Sequence, residues 1–108
     1  MAKINQQLPW SEQYRIAAKN WVKADAAASL LEETKSSVLS QMMLKMGDIP
    51  VSHAEKQAKA SYQWVDFLTK MVNAREDANL LRVEKEFLGM RFQEWNSAQA
   101  NRRAEMKL

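Results

Sequence analysis

The chain has 108 residues, of which 46% are hydrophobic and 27% charged, with two glycines, two prolines and no cysteine, a size that accommodates one domain and excludes a multidomain enzyme. Sixteen Lys and Arg against thirteen Asp and Glu leave a net charge of +3, too balanced for a histone-like neutraliser of DNA and of the wrong sign for an acidic DNA mimic. Any nucleic-acid binding must therefore be local. Without cysteine there is no disulfide framework, zinc finger or thiol nucleophile, which points to the cytoplasm. Residues 1–7 lack the apolar core of a secretory signal, and no stretch approaches the roughly 18 apolar residues of a membrane span, so no membrane is expected among the partners.

Gly47, Gly89, Pro9 and Pro50 are the only strong punctuators, too few for the turns a sheet needs, so the fold class is all-α. From Trp10 an apolar stripe runs through Tyr14, Ala17, Trp21, Ala24, Ala28, Leu31, Lys35, Val38 and Met42 in alternating steps of four and three. This is a heptad seam and predicts a first helix over about 10–46. Pro9 stands near its start, where a missing N–H costs little, with Leu8 or Ser11 as the expected cap. Gly47 suits the left-handed conformation that closes a helix and Pro50 cannot continue one, which predicts a turn over 47–52.

Ser52-His53-Ala54-Glu55 reads as a capping box opening a second helix over about 53–106. Along it Trp64, Phe67, Met71, Ala74, Ala78, Leu81, Lys85, Leu88, Phe92, Trp95, Gln99, Arg102 and Met106 alternate steps of three and four. Val65, Leu68, Val72, Leu80, Val83 and Phe87 widen the apolar surface, so this helix is expected to have neighbours on more than one side. Gly89 marks a place for a kink or for the start of a third helix.

The architecture implied is a long antiparallel helical hairpin, coiled-coil-like, with arms of unequal length. A turn centred near Ile49 puts residue i opposite about 98 minus i, pairing Trp10 with the region of Leu88, Trp21 with Ala78 and Leu31 with Phe67, and leaving residues 89–108 unpaired. Phe92, Trp95 and Met106 in that tail need cover. They are expected either to fold back over the N-terminal segment or to form an oligomer interface, and the small core of a two-helix hairpin favours a homo-oligomer.

Catalytic constellations are missing from the sequence. His53 is the only histidine, expected as an exposed residue at a helix start, and the spacing His53-Ala54-Glu55 lacks the downstream cysteines that deaminase chemistry requires. The acidic groups Glu32-Glu33, Glu76-Asp77 and Glu84/Glu86 read as solvated helix faces, with Glu55–Lys59, Asp66–Lys70 and Arg82–Glu86 at ion-pairing spacing. There is no phosphate-binding glycine loop and no nucleophile elbow. The expectation is a non-enzyme with no metal, no cofactor and no small-molecule substrate.

Charge is unevenly distributed. Residues 1–23 carry Lys3, Arg15, Lys19 and Lys23 against Glu12, and residues 89–108 carry Arg91, Arg102, Arg103 and Lys107 against Glu94 and Glu105, so the ends hold +3 and +2 while residues 24–88 hold −2. A hairpin brings both ends to its open end. There the cations are interleaved with Trp10, Tyr14, Trp21, Phe92 and Trp95, the mixture that neutralises phosphates and stacks on bases of single-stranded nucleic acid. Arg15, Lys19 and Lys23 stand four apart on one face, a repulsive arrangement that an anionic partner would relieve and that a solubilising face would also explain. The tryptophans lie on the seams and read as core before they read as stacking platforms. Arg91 and Trp95 are spaced for a cation–π pair within one helix. Met42-Met43-Leu44-Lys45-Met46 at the tip reads as core filler or as a docking patch.

The run Arg91-Phe92-Gln93-Glu94-Trp95-Asn96-Ser97-Ala98-Gln99-Ala100-Asn101-Arg102-Arg103-Ala104-Glu105-Met106, with Asn73-Ala74-Arg75 upstream, resembles a family of small helical proteins encoded by phages and prophages. The resemblance covers the chain from about residue 54 onward, and its most specific part is the aromatic-x-x-Trp followed by Arg-Ala-Glu-Met. Genes of that family sit beside phage recombination and single-strand-binding functions, so the resemblance implies an accessory role in DNA recombination or replication, in the cytoplasm of the host cell. In architecture the chain is similar to the recombination mediators of T-even phages, basic helical hairpins that form rings, bind single-stranded DNA and help load a recombinase.

These readings converge on an oligomeric accessory protein that binds single-stranded DNA, or its single-strand-binding or recombinase protein, through Lys3, Arg15, Lys19, Lys23, Arg91, Arg102, Arg103 and Lys107, with Trp95 or Trp10 stacking on bases. The alternatives are an adaptor or inhibitor that docks a helical face on a phage or host protein, and a virion structural or assembly component.

Overall fold

A computed structural model describes residues 1–107. It contains three helices, α1 (Trp10–Leu44), α2 (Val51–Ala60) and α3 (Tyr62–Met106), and among the described residues no strand. α1 packs along α3, and α2 covers the end of α1 next to the turn. The molecule is an antiparallel hairpin measuring 83 × 21 × 15 Å. Its radius of gyration of 22.8 Å compares with about 13 Å for a compact domain of this length.

The seam predicted from periodicity is the one that packs. Ala17 and Ala28 on α1 and Trp64, Ala78 and Leu88 on α3 are buried along it, joined by Ala54 and Ala58 of α2. Five of these seven core residues are alanines, so the helices approach closely but remove little apolar surface from water.

The loop lies over residues 45–50 rather than 47–52, because α1 ends at Leu44 and a helix already begins at Val51. Gly47 has φ 81°, the left-handed conformation that glycine adopts without strain. The capping box does not form. Pro50 is the N-cap of α2 without a side-chain cap bond, and its carbonyl accepts from the His53 and Ala54 N–H groups. Proline's fixed φ starts the helix at Val51, which carries Ser52 inside the first turn. The same device opens α1, where Pro9 itself, rather than Leu8 or Ser11, is the N-cap.

A break not anticipated by the sequence falls at Ser61, which is extended (φ −76°, ψ 151°) and separates α2 from α3. Its hydroxyl accepts from the Trp64 N–H at 3.2 Å and donates to the Ala58 carbonyl at 2.6 Å. Ser61 is thus the true side-chain cap of the returning arm. Ser61→Ala should lower stability by about 1 kcal/mol, whereas Ser52→Ala should leave it unchanged, as read from urea midpoints of the two variants.

α3 runs without interruption through Gly89, so neither a kink nor a third helix begins there. Gly89 serves close approach instead: a Cβ at this position would stand 3.1 Å from the Tyr14 ring. The register also differs from the expected one. Asp25 and Glu32 meet Arg75, Trp21 meets Lys85, Tyr14 meets Gly89 and Trp10 meets Arg91, about one helical turn beyond the anticipated partners. The loop does not account for this offset, since it spans residues 45–50 and is centred before Ile49. The shift brings residues 89–95 alongside the start of α1, so the part of α3 beyond the first arm begins near Asn96.

Residues 1–9 form a strap that doubles back along the open end. The Ala2 N–H donates to Asn20 Oδ1 at 3.2 Å and the Asn20 amide donates to the Ala2 carbonyl at 2.9 Å. The buried Gln13 amide donates to the carbonyls of Gln6 and Leu8. Met1 borders Leu80 and Leu81, Ile4 borders Phe87 and Leu88, and Leu8 borders Phe92 and Trp95. The strap, and not a folded-back tail, covers the N-terminal stretch of the seam.

Candidate nucleic-acid interface

The hairpin brings the start of α1 against the last third of α3. The Arg91 guanidinium lies over the Trp10 ring at 5.3 Å and bonds Glu94 at 3.2 Å. The cation–π partner is therefore across the hairpin and not Trp95. Trp95 stacks on Phe92 with centroids 6.4 Å apart and planes 13° from parallel, and both rings border a groove with Leu8, Pro9 and Trp10. Trp95 remains 48% exposed, enough to offer a ring face, while Phe92 is half-buried.

The remaining cations divide into two sets. Arg15 holds Glu12 at 2.8 Å, which cancels its charge locally. Lys19 and Lys23 are exposed on α1, with Lys23 bordering a groove shared with Met1, Asp77 and Leu80, Lys3 is exposed on the strap, and Arg102, Arg103 and Lys107 are exposed on the overhang of α3. Among the described residues none of these six is in an ion pair. At 1.5 Å per residue, Lys23 lies about 20 Å to one side of the Trp10–Arg91 contact and Lys107 about 24 Å to the other. The basic groups thus form an open-end tract some 44 Å long rather than a compact cluster. Met106 is exposed at its tip.

Four acidic side chains of the central region, Asp25, Glu32, Glu55 and Asp66, are held in ion pairs. Arg75 donates to Asp25 at 2.6 Å, to both Glu32 oxygens at 2.8 and 2.9 Å and to the Ser29 hydroxyl at 3.3 Å, tying α3 to α1. The hydrogen bond and charge of Arg75 hold the Glu32 carboxyl below its ordinary pKa, and Glu32 and Asp25 push the Arg75 pKa up. Lys85 lies over the Trp21 ring at 4.2 Å, which explains a lysine at a seam position. Glu55–Lys59 and Asp66–Lys70 form as spaced, and Lys59 lowers the Glu55 pKa. Arg82–Glu86 does not form among the described residues.

The Glu32 shift has a defined sign. A carboxyl with a lower pKa folded than unfolded adds stability that is fully present above the unfolded value and is lost as pH falls through the folded one. Urea midpoints should accordingly fall on acidification below about pH 4.5 more steeply in the wild type than in Arg75→Gln, in which the cause of the Glu32 shift is gone.

Arg75 and its partners were the functional-looking group that periodicity missed. The signal was present: Asp25 and Glu32 are seven apart, one heptad on the same face, opposite a lone arginine. No group of carboxylates or histidines able to hold a metal occurs among the described residues, and no helix is long and apolar enough to cross a membrane. Comparison with known proteins adds no relative: no protein-family model, no curated protein and no solved structure matches the chain.

Proposed function

We propose that the protein is a non-enzymatic accessory protein of DNA recombination or replication that binds single-stranded DNA along its open end. One observation carries the reading. The two chain segments with excess positive charge run into one tract, pinned together by Arg91 over Trp10, and six exposed cations outside ion pairs flank the half-exposed Trp95 ring on it. Single-stranded DNA asks for that combination, since backbone neutralisation supplies affinity and ring faces accept any base. Paired Arg15 and Arg91 orient neighbouring groups; Lys3, Lys19, Lys23, Arg102, Arg103 and Lys107 meet phosphates.

The test is fluorescence anisotropy of a labelled oligonucleotide of about 20 nucleotides at low salt. Wild type should bind, and Lys19→Glu/Lys23→Glu combined with Arg102→Glu/Arg103→Glu should weaken binding at least a hundredfold with unchanged helicity, because all four side chains are exposed. No binding by the wild type at 50 mM salt, or equal binding by the charge-reversed variant, would remove the proposal.

A further inference from the structure

Two grooves at the open end share Trp10 and Gln13 as walls. Gln13 is only 4% exposed, and its Nε2 is engaged by the carbonyls of Gln6 and Leu8. Among the described residues nothing donates to its Oε1, and no side-chain polar atom is both buried and without a partner. That oxygen is therefore open to the grooves, a fixed acceptor not used by the fold. The larger groove, of about 480 Å³, is walled by Phe87, Leu88 and the strap's Ile4 and takes charged groups from Glu84 and Arg91. A ring, aliphatic walls and a few fixed polar groups in a recess of this size are the form of a small-ligand site.

Glu84 is out of place beside a tract that attracts phosphates. Its neighbours at helical spacing, Leu80, Leu81, Phe87 and Leu88, are all apolar. Among the described residues it is in no ion pair, whereas Glu12 and Glu94 are held by Arg15 and Arg91. A free carboxylate lowers the attraction for a strand's backbone, but it accepts hydrogen bonds, and the edge of a base donates them. Glu84 and Arg91 stand seven residues apart on one face of α3, about 10.5 Å along its axis. An acceptor and a donor thus border the groove from opposite ends, with Phe87, 48% exposed, between them. Arg91 gives one nitrogen to Glu94 and keeps the others.

Resting on the single-strand reading above, we propose that this groove selects guanine: one base of the bound strand turns into it, stacks on Phe87 and is read by Glu84, Gln13 and Arg91. Unstacked bases of a single strand are recognised in this way, by a ring face and by hydrogen bonds to their edges. Guanine offers two neighbouring donors on one edge, N1–H and the N2 amine, and two acceptors, O6 and N7, on another. The Glu84 carboxylate accepts from the donor pair, the Arg91 guanidinium donates to the acceptor pair, and Gln13 Oε1 takes the second proton of the N2 amine. Adenine and cytosine turn a ring-nitrogen lone pair toward Glu84, and thymine flanks its one N–H with two carbonyls, so each of the three sets an acceptor against the carboxylate.

The test is anisotropy at low salt with a labelled all-thymine strand and with the same strand carrying one central guanine or adenine. Guanine should tighten binding about tenfold or more, the worth of one bidentate base contact, and adenine should not. Glu84→Gln, at an exposed position, should erase the guanine gain while the all-thymine strand binds as well as before or better, because a negative charge has left the tract. A role of Glu84 in folding alone would move all three strands together. In an arm without any strand, guanosine monophosphate should shift the side-chain amide resonances of Gln13 and adenosine monophosphate should not. Loss of all-thymine binding would strike the open-end reading, and the nucleotide arm would still report on the groove. Equal affinity for the guanine and adenine strands, a guanine gain that survives Glu84→Gln, or a Gln13 amide indifferent to guanosine monophosphate would each overturn the proposal.

Discussion

Trp64→Ala is expected to be among the most damaging single substitutions in the chain. Trp64 is 5% exposed and stacks on Phe67 with centroids 5.8 Å apart, and it is one of only two large side chains among the buried residues described, Leu88 being the other. Truncating such a ring costs about 3–5 kcal/mol, a large share of the roughly 5–15 kcal/mol that holds a domain folded. The effect is amplified here because five of the other six core positions are alanines, which have little to contribute when a neighbour is lost. Tyr62→Ala, two residues earlier and 82% exposed, is the internal control and should shift stability by no more than about 0.5 kcal/mol. Urea denaturation of both variants followed by far-ultraviolet dichroism separates them; a Trp64→Ala midpoint within error of wild type would mean that the ring is not a core anchor.

The second large effect is that of salt on the proposed DNA complex. Each phosphate neutralised on a single strand contributes about −0.7 to the slope of log affinity against log salt. Six exposed cations outside ion pairs predict a slope near −4, so raising salt from 50 to 200 mM should weaken binding roughly three-hundredfold. Arg15→Gln and Arg91→Gln should hardly change that slope, because Glu12 and Glu94 already hold these guanidinium groups. A slope near zero would show that the oligonucleotide, if bound at all, is held without its backbone.

Much of the fold was legible because both seams keep their three–four alternation over more than thirty residues, and helical periodicity needs no tertiary information. Register was not legible. It depends on how the two arms are offset along each other, which the periodicity of either arm alone does not encode. The interruption at Ser61 was hidden for a similar reason: nothing in Ala60-Ser61-Tyr62 differs from a helix interior, and only the bond from the Trp64 N–H reveals the serine as a cap. The strap was hidden because residues 1–9 have no period at all. Its signal lay in α1, where Gln13 and Asn20, polar and seven apart, sit on one face and bind backbone rather than side chains. For the basic tract, the sum of charges at each end was readable, but which arginines were already spent on Glu12 and Glu94 was not.

Extended backbone at Ser61 divides the returning arm into unequal lengths, ten residues on the loop side and forty-five on the other. Helical cooperativity does not pass through a residue outside the helix, and ten residues are too few to stay helical without tertiary support. Unzipping that starts at Gly47 therefore stops at Ser61, with the capped first turn of α3 and Trp64 standing immediately behind it. The loop end is held helical by the burial of Ala54 and Ala58 against α1, and amide exchange across Val51–Ala60 is expected to be faster than across the first turns of α3.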